Sequence, residues 1–349
     1  MPLYYSQYFG IKHQDFFCKG VYNGCLDSDS LLHVDPLLLK GCPIEEFKDS
    51  YQHFLNYFRQ MIPLVKYVKN ENTSDPFFKR IVSLFKFREI PNTGLGFSKG
   101  NTHGRGISGD LSLQLATSAF TIINAGLLDP EIFGLMHLIE DNMGADRISD
   151  MTISILFPDF LSYTERISKE LNLPVFEYKQ TYDKSFYVPH YKNKPIIFLP
   201  MSVLADLPYA KDYDEIDKVC NYNNMLKRKV AEIIGLTWSL YKDYRKKDWK
   251  QIIINNKKCY DEAIDYYRHL KGVPYDFTND ERRQYTWPIL HDIISANNLD
   301  LSAYGVNKTQ HDIFDLTKAI INQFKHLVED NRLSELFYRK RSVKAVLSA

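Results

Sequence analysis

The sequence predicts a mainly α fold with a small β element (α+β), in which an irregular, aromatic-rich N-terminal segment wraps a helical body. Apolar residues recur at intervals of three and four over much of the 349 residues. Only two short stretches, 175–179 and 195–199, are typical of strands. With 44% hydrophobic residues, the chain can bury enough apolar surface to offset its conformational entropy, which excludes intrinsic disorder.

Residues 1–95 are predicted to form the N-terminal wrapping segment and the first helices. Glycines and a proline interrupt residues 1–42, which favours extended pieces and turns over helix. A long helix is predicted from Ile44 to Val68, where apolar residues follow the helical period. A second is predicted over Asp75–Phe87, since Asp75 followed by Pro76 is typical of a helix N-terminus.

Residues 96–349 are predicted to form the main helical body, although the two parts can equally be one continuous domain. Residues 175–179 and 195–199 are expected to pair as a hairpin-like ribbon on this body. The helices are expected at about 110–125, from Asp129 onward, from Ser149 or Asp150 to Leu171, within 212–249, and at 259–271, 281–296 and 309–338.

Charge and cysteine content exclude several classes of protein. The net charge is +1, so no global field attracts the chain to nucleic acid or anionic lipid, and such binding requires a local patch. No stretch approaches the roughly 20 apolar residues of a membrane span, and we expect a cytoplasmic protein without a membrane partner. Five scattered cysteines without a Cys-x-x-Cys pair argue against a disulfide framework or a zinc knuckle.

A glycine-rich segment, 91–109, is the first candidate site. It carries Lys99, Asn101, His103 and Arg105 among six glycines and precedes a predicted helix N-terminus at Asp110. Backbone N–H groups and cationic side chains favour phosphate there, although the spacing is not that of a P-loop. A solvated surface loop would use the same residues.

An acidic segment, residues 140–150, is the second candidate. Its carboxylates, at Glu140, Asp141, Asp146 and Asp150, can converge at a helix junction and share protons or bind Mg²⁺, with Asp146 and Asp150 as the metal ligands. The alternative is structural, because Asp146 or Ser149 can cap the following helix.

Glu177 and Lys179 form a Glu-x-Lys pattern on the first predicted strand. In restriction-type nucleases this pattern helps to hold Mg²⁺ and to support the attacking water, together with an upstream Asp. The intervening segment is predicted as a long helix rather than a short hairpin, and an ordinary half-buried strand explains the pattern equally.

A cationic, aromatic-rich strip over 227–258 is the last candidate. It is suited to neutralise phosphates and to stack bases, whereas a solvated helix face is the competing interpretation. The residues expected to contact nucleic acid are Lys227, Arg228, Arg245, Lys246 and Lys247.

Four strings together resemble the body of a family of uncharacterised bacterial proteins: GNTHGRGISG, AGLLDPEIFGLMHLIEDNMGADRISDM, PIIFLPMSVLADLP with YAKDYDEID, and NYNNMLKRKVAEIIG. The longer members of that family end in a restriction-endonuclease-like nuclease domain. The resemblance implies that this domain is absent here, because the chain ends near where it would begin. Met201 also stands where the family often has lysine.

These observations predict a nucleic-acid-binding sensing or accessory body of a nuclease, in a bacterial DNA-processing or anti-phage defence system. One alternative is a Mg²⁺-dependent nuclease or phosphodiesterase in its own right, which would use Glu140, Asp141, Asp146, Asp150, Glu177 and Lys179. The other is an interaction scaffold of a defence complex. The expected partners are nucleic acid and a nuclease or ATPase protein, and an oligomer is compatible with the sequence.

Overall fold

The computed structural model describes residues 3–27, 29–30, 32–95, 107–141, 143–179, 184–206 and 245–280. The chain divides into two compact units, Met1–Tyr275 and Asp276–Ala349. The elements below belong to the first unit, and they confirm a mainly α fold with a small β element. No helix among the described residues is long and apolar enough to cross a membrane.

Within the described residues of the first unit, the helices are α1 (Tyr5–Phe9), α2 (His13–Cys18), α3 (Ser50–Arg59), α4 (Met61–Val65), α5 (Pro76–Leu84), α6 (Asp110–Asn124), α7 (Met136–Ile139), α8 (Ala145–Ile155), α9 (Phe157–Glu170), α10 (Lys246–Asn255) and α11 (Lys257–His269). Short 3-10 helices cover Pro36–Leu39, Glu45–Phe47, Pro130–Leu135 and Met201–Val203. The strands are β1 (Leu32–Val34), β2 (Phe176–Lys179), β3 (Ser185–Val188), β4 (His190–Tyr191), β5 (Lys194–Pro195) and β6 (Leu204–Asp206).

The described strands form three antiparallel pairs, β1 with β6, β2 with β3, and β4 with β5. The predicted pairing of 175–179 with 195–199 is wrong, because β2 pairs with β3, and within 195–199 only Pro195 belongs to a named strand, β5. The apolar run after Pro195 is fully buried. Its backbone bonds to loops and side chains instead of a ladder: Phe198 N donates to Thr164 Oγ1 at 3.0 Å and Ile196 N to Pro189 O at 2.8 Å.

The N-terminal residues contain two short helices where only extended pieces and turns are predicted. The glycines lie at the helix ends: Gly10 follows α1 with φ 67°, and Gly20 lies just beyond α2 with φ 66°. A positive φ at these positions closes a helix rather than preventing one. The aromatic side chains of Tyr5 and Phe16 are fully buried and pack around Phe198, with ring centroids 5.7 and 5.3 Å away.

The predicted helix over 44–68 is divided into a 3-10 turn, α3 and α4. Pro63 explains the break at Gln60, because proline lacks the N–H that would bond the Arg59 carbonyl. The predicted start of the helix over 75–87 is confirmed, since Asp75 Oδ1 accepts from the N–H groups of Phe77 and Phe78 at 2.9 and 3.0 Å, but the helix ends at Leu84 rather than Phe87. The predictions of α6 and α11 are also confirmed.

Candidate nucleic-acid interface

Helix α8 carries the second half of the acidic segment. It begins at Ala145, after Gly144, and so four or five residues earlier than predicted. The capping prediction for Asp146 or Ser149 is therefore wrong, since both lie within the helix. Ser149 Oγ instead accepts a hydrogen bond from Val34 N of β1 at 2.9 Å. Asp146 and Asp150 are one turn apart, which places their carboxylates on one face.

Asp150 is the electrostatically perturbed member of this face. Burial, together with the nearby carboxylates of Glu89, Asp146 and Asp29, raises its pKa from 3.8 to about 7, and Arg147 opposes the shift. Like charges that share a partly desolvated site disfavour ionisation. The Asp150 carboxyl can therefore hold or exchange a proton near neutral pH.

The metal prediction for Asp146 and Asp150 stays a prediction. Within the described ranges, no three His, Cys, Asp or Glu side chains are grouped so that they could hold one metal ion. A protein Mg²⁺ site usually relies on one or two carboxylates with several waters or substrate phosphates.

Glu140, in the first half of the acidic segment, is buried and neutralised. Its Oε1 lies 2.7 Å from Lys250 Nζ of α10, and its Oε2 accepts from Gln114 Nε2 of α6 at 2.9 Å. Lys250 Nζ also donates to Ser118 Oγ. The side chain of Glu140 is 4% exposed. These contacts assign Glu140 to the packing of α10 against α6, whereas its neighbour Asp141 is exposed and uses its carbonyl to accept from Gln114 at 3.3 Å.

The cationic strip thus meets the acidic segment through α10. Lys246 Nζ donates to the carbonyls of Glu140 and Met143 at 2.9 and 3.2 Å. Lys246 and Lys250 are four residues apart and occupy one face of the helix. Contrary to its predicted outward role, Lys246 points into the protein.

Arg245 and Lys247 lie on the exposed side of the same helix start. Neither side chain makes an ion pair within the described part of the chain. Their predicted contact with phosphate stays a prediction. The other predicted contact residues, Lys99, Asn101, His103, Arg105, Lys227 and Arg228, lie outside the described residues.

The residues that flank the glycine-rich segment are held close to the neighbours of Asp150. Leu95 forms a parallel bridge with Ser30, which follows Asp29, and Ile107 forms an antiparallel bridge with Phe87, two residues before Glu89. Asp29 and Glu89 are two of the carboxylates that raise the pKa of Asp150. Both anchors therefore pair with residues that lie one or two positions from a carboxylate acting on Asp150.

Glu177 and Lys179 project from the exposed face of the β2–β3 hairpin. Lys179 Nζ lies 3.8 Å from Glu177 Oε2, and Ser185 Oγ of β3 donates to Glu177 Oε1 at 2.8 Å. These contacts stay within the hairpin. The arrangement matches the ordinary strand interpretation, with Tyr178 packing edge-on against Phe157 from the opposite face.

Sequence reasoning missed Gln114 and Ser118, which share the polar cluster of Glu140 and Lys250. It also missed Lys86 and Arg88, which line a small pocket. Gln114 and Ser118 lie four apart on α6, and nothing in their sequence context indicates that they face a lysine 132 residues beyond Ser118. Lys86 and Arg88 could have been found from the sequence, because they alternate around Phe87, and this pattern puts both side chains on one side of an extended segment.

Comparison with curated proteins and with solved structures found no match. The comparison with family models gave one match, over residues 10–211, to "Domain of unknown function (DUF8370)". The matched residues include the β1–β6 pair, the acidic face of α8 and the β2–β3 hairpin. Because the match covers more than half of the chain, the protein belongs to the DUF8370 family.

Proposed function

We propose that the protein binds nucleic acid and acts as the sensing or accessory body of a nuclease in a bacterial DNA-processing or anti-phage defence system. The observation that supports this most is the division of charge at the start of α10. Lys246 and Lys250 anchor the helix to the acidic segment, while Arg245 and Lys247 remain exposed without an ion pair in the described residues.

This arrangement suits a phosphate backbone. The anchored helix holds Arg245 and Lys247 in place, so that less side-chain and segmental freedom is lost on binding. An exposed guanidinium and an exposed ammonium group two positions apart can each neutralise a phosphate without reading the bases.

Two features favour an accessory role over catalysis by the acidic segment. Glu140 is already neutralised by Lys250, and Glu177 pairs with Lys179 on a separate hairpin. The resemblance to bacterial proteins with a C-terminal nuclease domain supports placing the protein beside a nuclease in a defence system.

The test is fluorescence anisotropy with labelled single-stranded and duplex DNA and RNA 30-mers over a range of salt concentrations. For wild-type protein, log Kobs should fall linearly with log salt. The double variant R245A/K247A should reduce the slope on duplex DNA by about 1.8, since each lost phosphate contact contributes about 0.9. The matched control K66A/K69A removes two exposed cations from the α4–α5 connection and should leave the slope unchanged. Binding that does not respond to salt, or a normal slope in R245A/K247A, would overturn the proposal.

A Mg²⁺-dependent nuclease is the second candidate, and the carboxyl pair on α8 favours it. Burial and, to a smaller extent, the nearby carboxylates raise the pKa of Asp150, and a divalent cation at Asp146 and Asp150 would relieve the repulsion between these two groups. Purified protein should then cleave DNA or RNA with Mg²⁺ or Mn²⁺, and D146N/D150N should abolish cleavage. Absence of both metal binding and cleavage would reject this candidate.

A further inference from the structure

A pocket of about 280 Å³ lies between the segment that follows α5 and the junction of α8 with α9. Its lining combines cationic, aromatic and hydroxyl side chains: Tyr57, Lys86, Phe87, Arg88, Ser154 and Phe157. None of the lining residues is acidic. By contrast, a larger pocket of about 780 Å³ beside α11 mixes four carboxylates with three cations, which disfavours an anionic ligand there.

The backbone explains why the cations line one side of the small pocket. Phe87 N donates to Ile107 O at 3.0 Å, and the bridge between these residues makes the chain extended. Side chains alternate along an extended segment, so buried Phe87 points into the core while Lys86 and Arg88 point outward together. Ser154 Oγ, near the end of α8, donates to Arg88 O at 3.0 Å and holds this segment against the helix.

The two cations of this pocket are exposed and available to a ligand. Neither Lys86 nor Arg88 makes an ion pair within the described ranges. The Tyr57 and Phe87 rings form the inner aromatic wall, with centroids 5.7 Å apart, and the Tyr57 hydroxyl is already bonded to Leu84 O at 2.7 Å. Phe157, at the first position of α9, is partly exposed and presents a further ring.

We infer that this pocket binds one nucleoside monophosphate unit, with the phosphate on Lys86 and Arg88 and the base against the Phe157 ring. Adjacent cations select an anion, and an aromatic side chain offers stacking that tolerates any base. The volume lies just below the range of typical small-molecule pockets, which favours a single unit over a duplex. The pocket shares no residue with the surface of Arg245 and Lys247, so the inference does not depend on the function proposed above.

Isothermal titration calorimetry with AMP, adenosine and ribose 5-phosphate tests the inference. Wild-type protein should bind AMP more tightly than either fragment. K86A/R88A should weaken AMP binding at least about tenfold, since each cation contributes a charge-assisted hydrogen bond. F157L, which keeps an apolar side chain but removes the ring, should weaken AMP about tenfold and leave ribose 5-phosphate unchanged. The K66A/K69A control should bind AMP like the wild type.

Three results would overturn the inference: no AMP binding at millimolar concentration, unchanged binding in K86A/R88A, or ribose 5-phosphate that binds as tightly as AMP. If AMP binds as expected, a competition experiment identifies where the nucleoside monophosphate unit comes from. If a 5′-phosphorylated single-stranded dodecamer displaces AMP, the unit belongs to a strand end, and if it does not, the ligand is a free nucleotide. Because R245A/K247A should keep wild-type AMP affinity, failure of this inference is distinguishable from failure of the proposed 30-mer interface.

Discussion

Removal of the Lys250 charge should show how strongly α10 depends on the acidic segment. In K250M the Glu140 carboxylate would stay buried, 4% exposed, with Gln114 as its remaining side-chain partner. Breaking a buried ion pair by removing one partner typically costs about 3–5 kcal/mol. We expect about 3 kcal/mol for K250M, at the lower end, because the Gln114 hydrogen bond at 2.9 Å is retained.

The assay is urea unfolding followed by far-UV circular dichroism, with K250M, E140Q and the double variant as a cycle. The double variant should be more stable than the sum of the single losses predicts, with a coupling energy of about 2 kcal/mol. Lys257 provides a matched control, because its pair with Asp261 at 2.9 Å is exposed on both sides and K257M should cost less than about 0.5 kcal/mol. A loss below about 1 kcal/mol in K250M, with additive single effects, would refute the assignment of Glu140 to structural packing.

Three further predictions concern the pH dependence of stability and helix capping. The folded protein binds a proton at Asp150 more tightly than the unfolded chain, so the stability from this group is present at low pH and is lost as the pH rises from 3.8 towards about 7. D150N should therefore raise the free energy of unfolding by up to about 4 kcal/mol above pH 7 and leave it unchanged near pH 4, and equal stability at pH 8 would contradict this. Burial lowers the pKa of His33 from 6.5 to about 4, so the folded state binds its proton more weakly and stability is lost as the pH falls through this window. In urea unfolding, the stability that H33Q loses between pH 6.5 and pH 4 should be smaller than the wild-type loss by up to about 3 kcal/mol. Asp75 accepts hydrogen bonds from the N–H groups of Lys69, Asn70, Phe77 and Phe78, so D75A should lower the free energy of unfolding by about 2 kcal/mol, and a loss under 0.5 kcal/mol would show that these bonds are replaced by water.

Helix ends that are marked by a capping residue, a proline or a glycine were predictable from the sequence. Asp75 with Pro76 marks the start of α5, and Gly126, with φ 82°, follows the end of α6. These residues act through hydrogen bonds and dihedral preferences within a few positions of the chain, which sequence reasoning can evaluate. The earlier start of α8 at Ala145 was missed, because Ser149 and Asp150 are also favourable cap residues, and the hydrogen bond that Ser149 accepts from β1 cannot be read from the local sequence.

The strand prediction at 195–199 was wrong for a tertiary reason. An apolar, β-branched run is typical of a strand and equally of an extended core segment. Here Phe198 is surrounded by N-terminal aromatic rings, and its N–H donates to a threonine of α9 instead of a strand. No local pattern distinguishes these two outcomes.

The amino-acid sequence alone determined the mainly α class, the apolar helix faces and the presence of an acidic and a cationic stretch, because periodicity and charge are properties of neighbouring residues. Only the tertiary structure decided which charged side chains are bonded inside the protein and which are exposed. Lys246 and Lys250 are turned inward against the Glu140 region, while Arg245 and Lys247 face outward. The physical reason is that Coulomb energy and desolvation depend on distances between residues more than 100 positions apart, which the sequence does not contain.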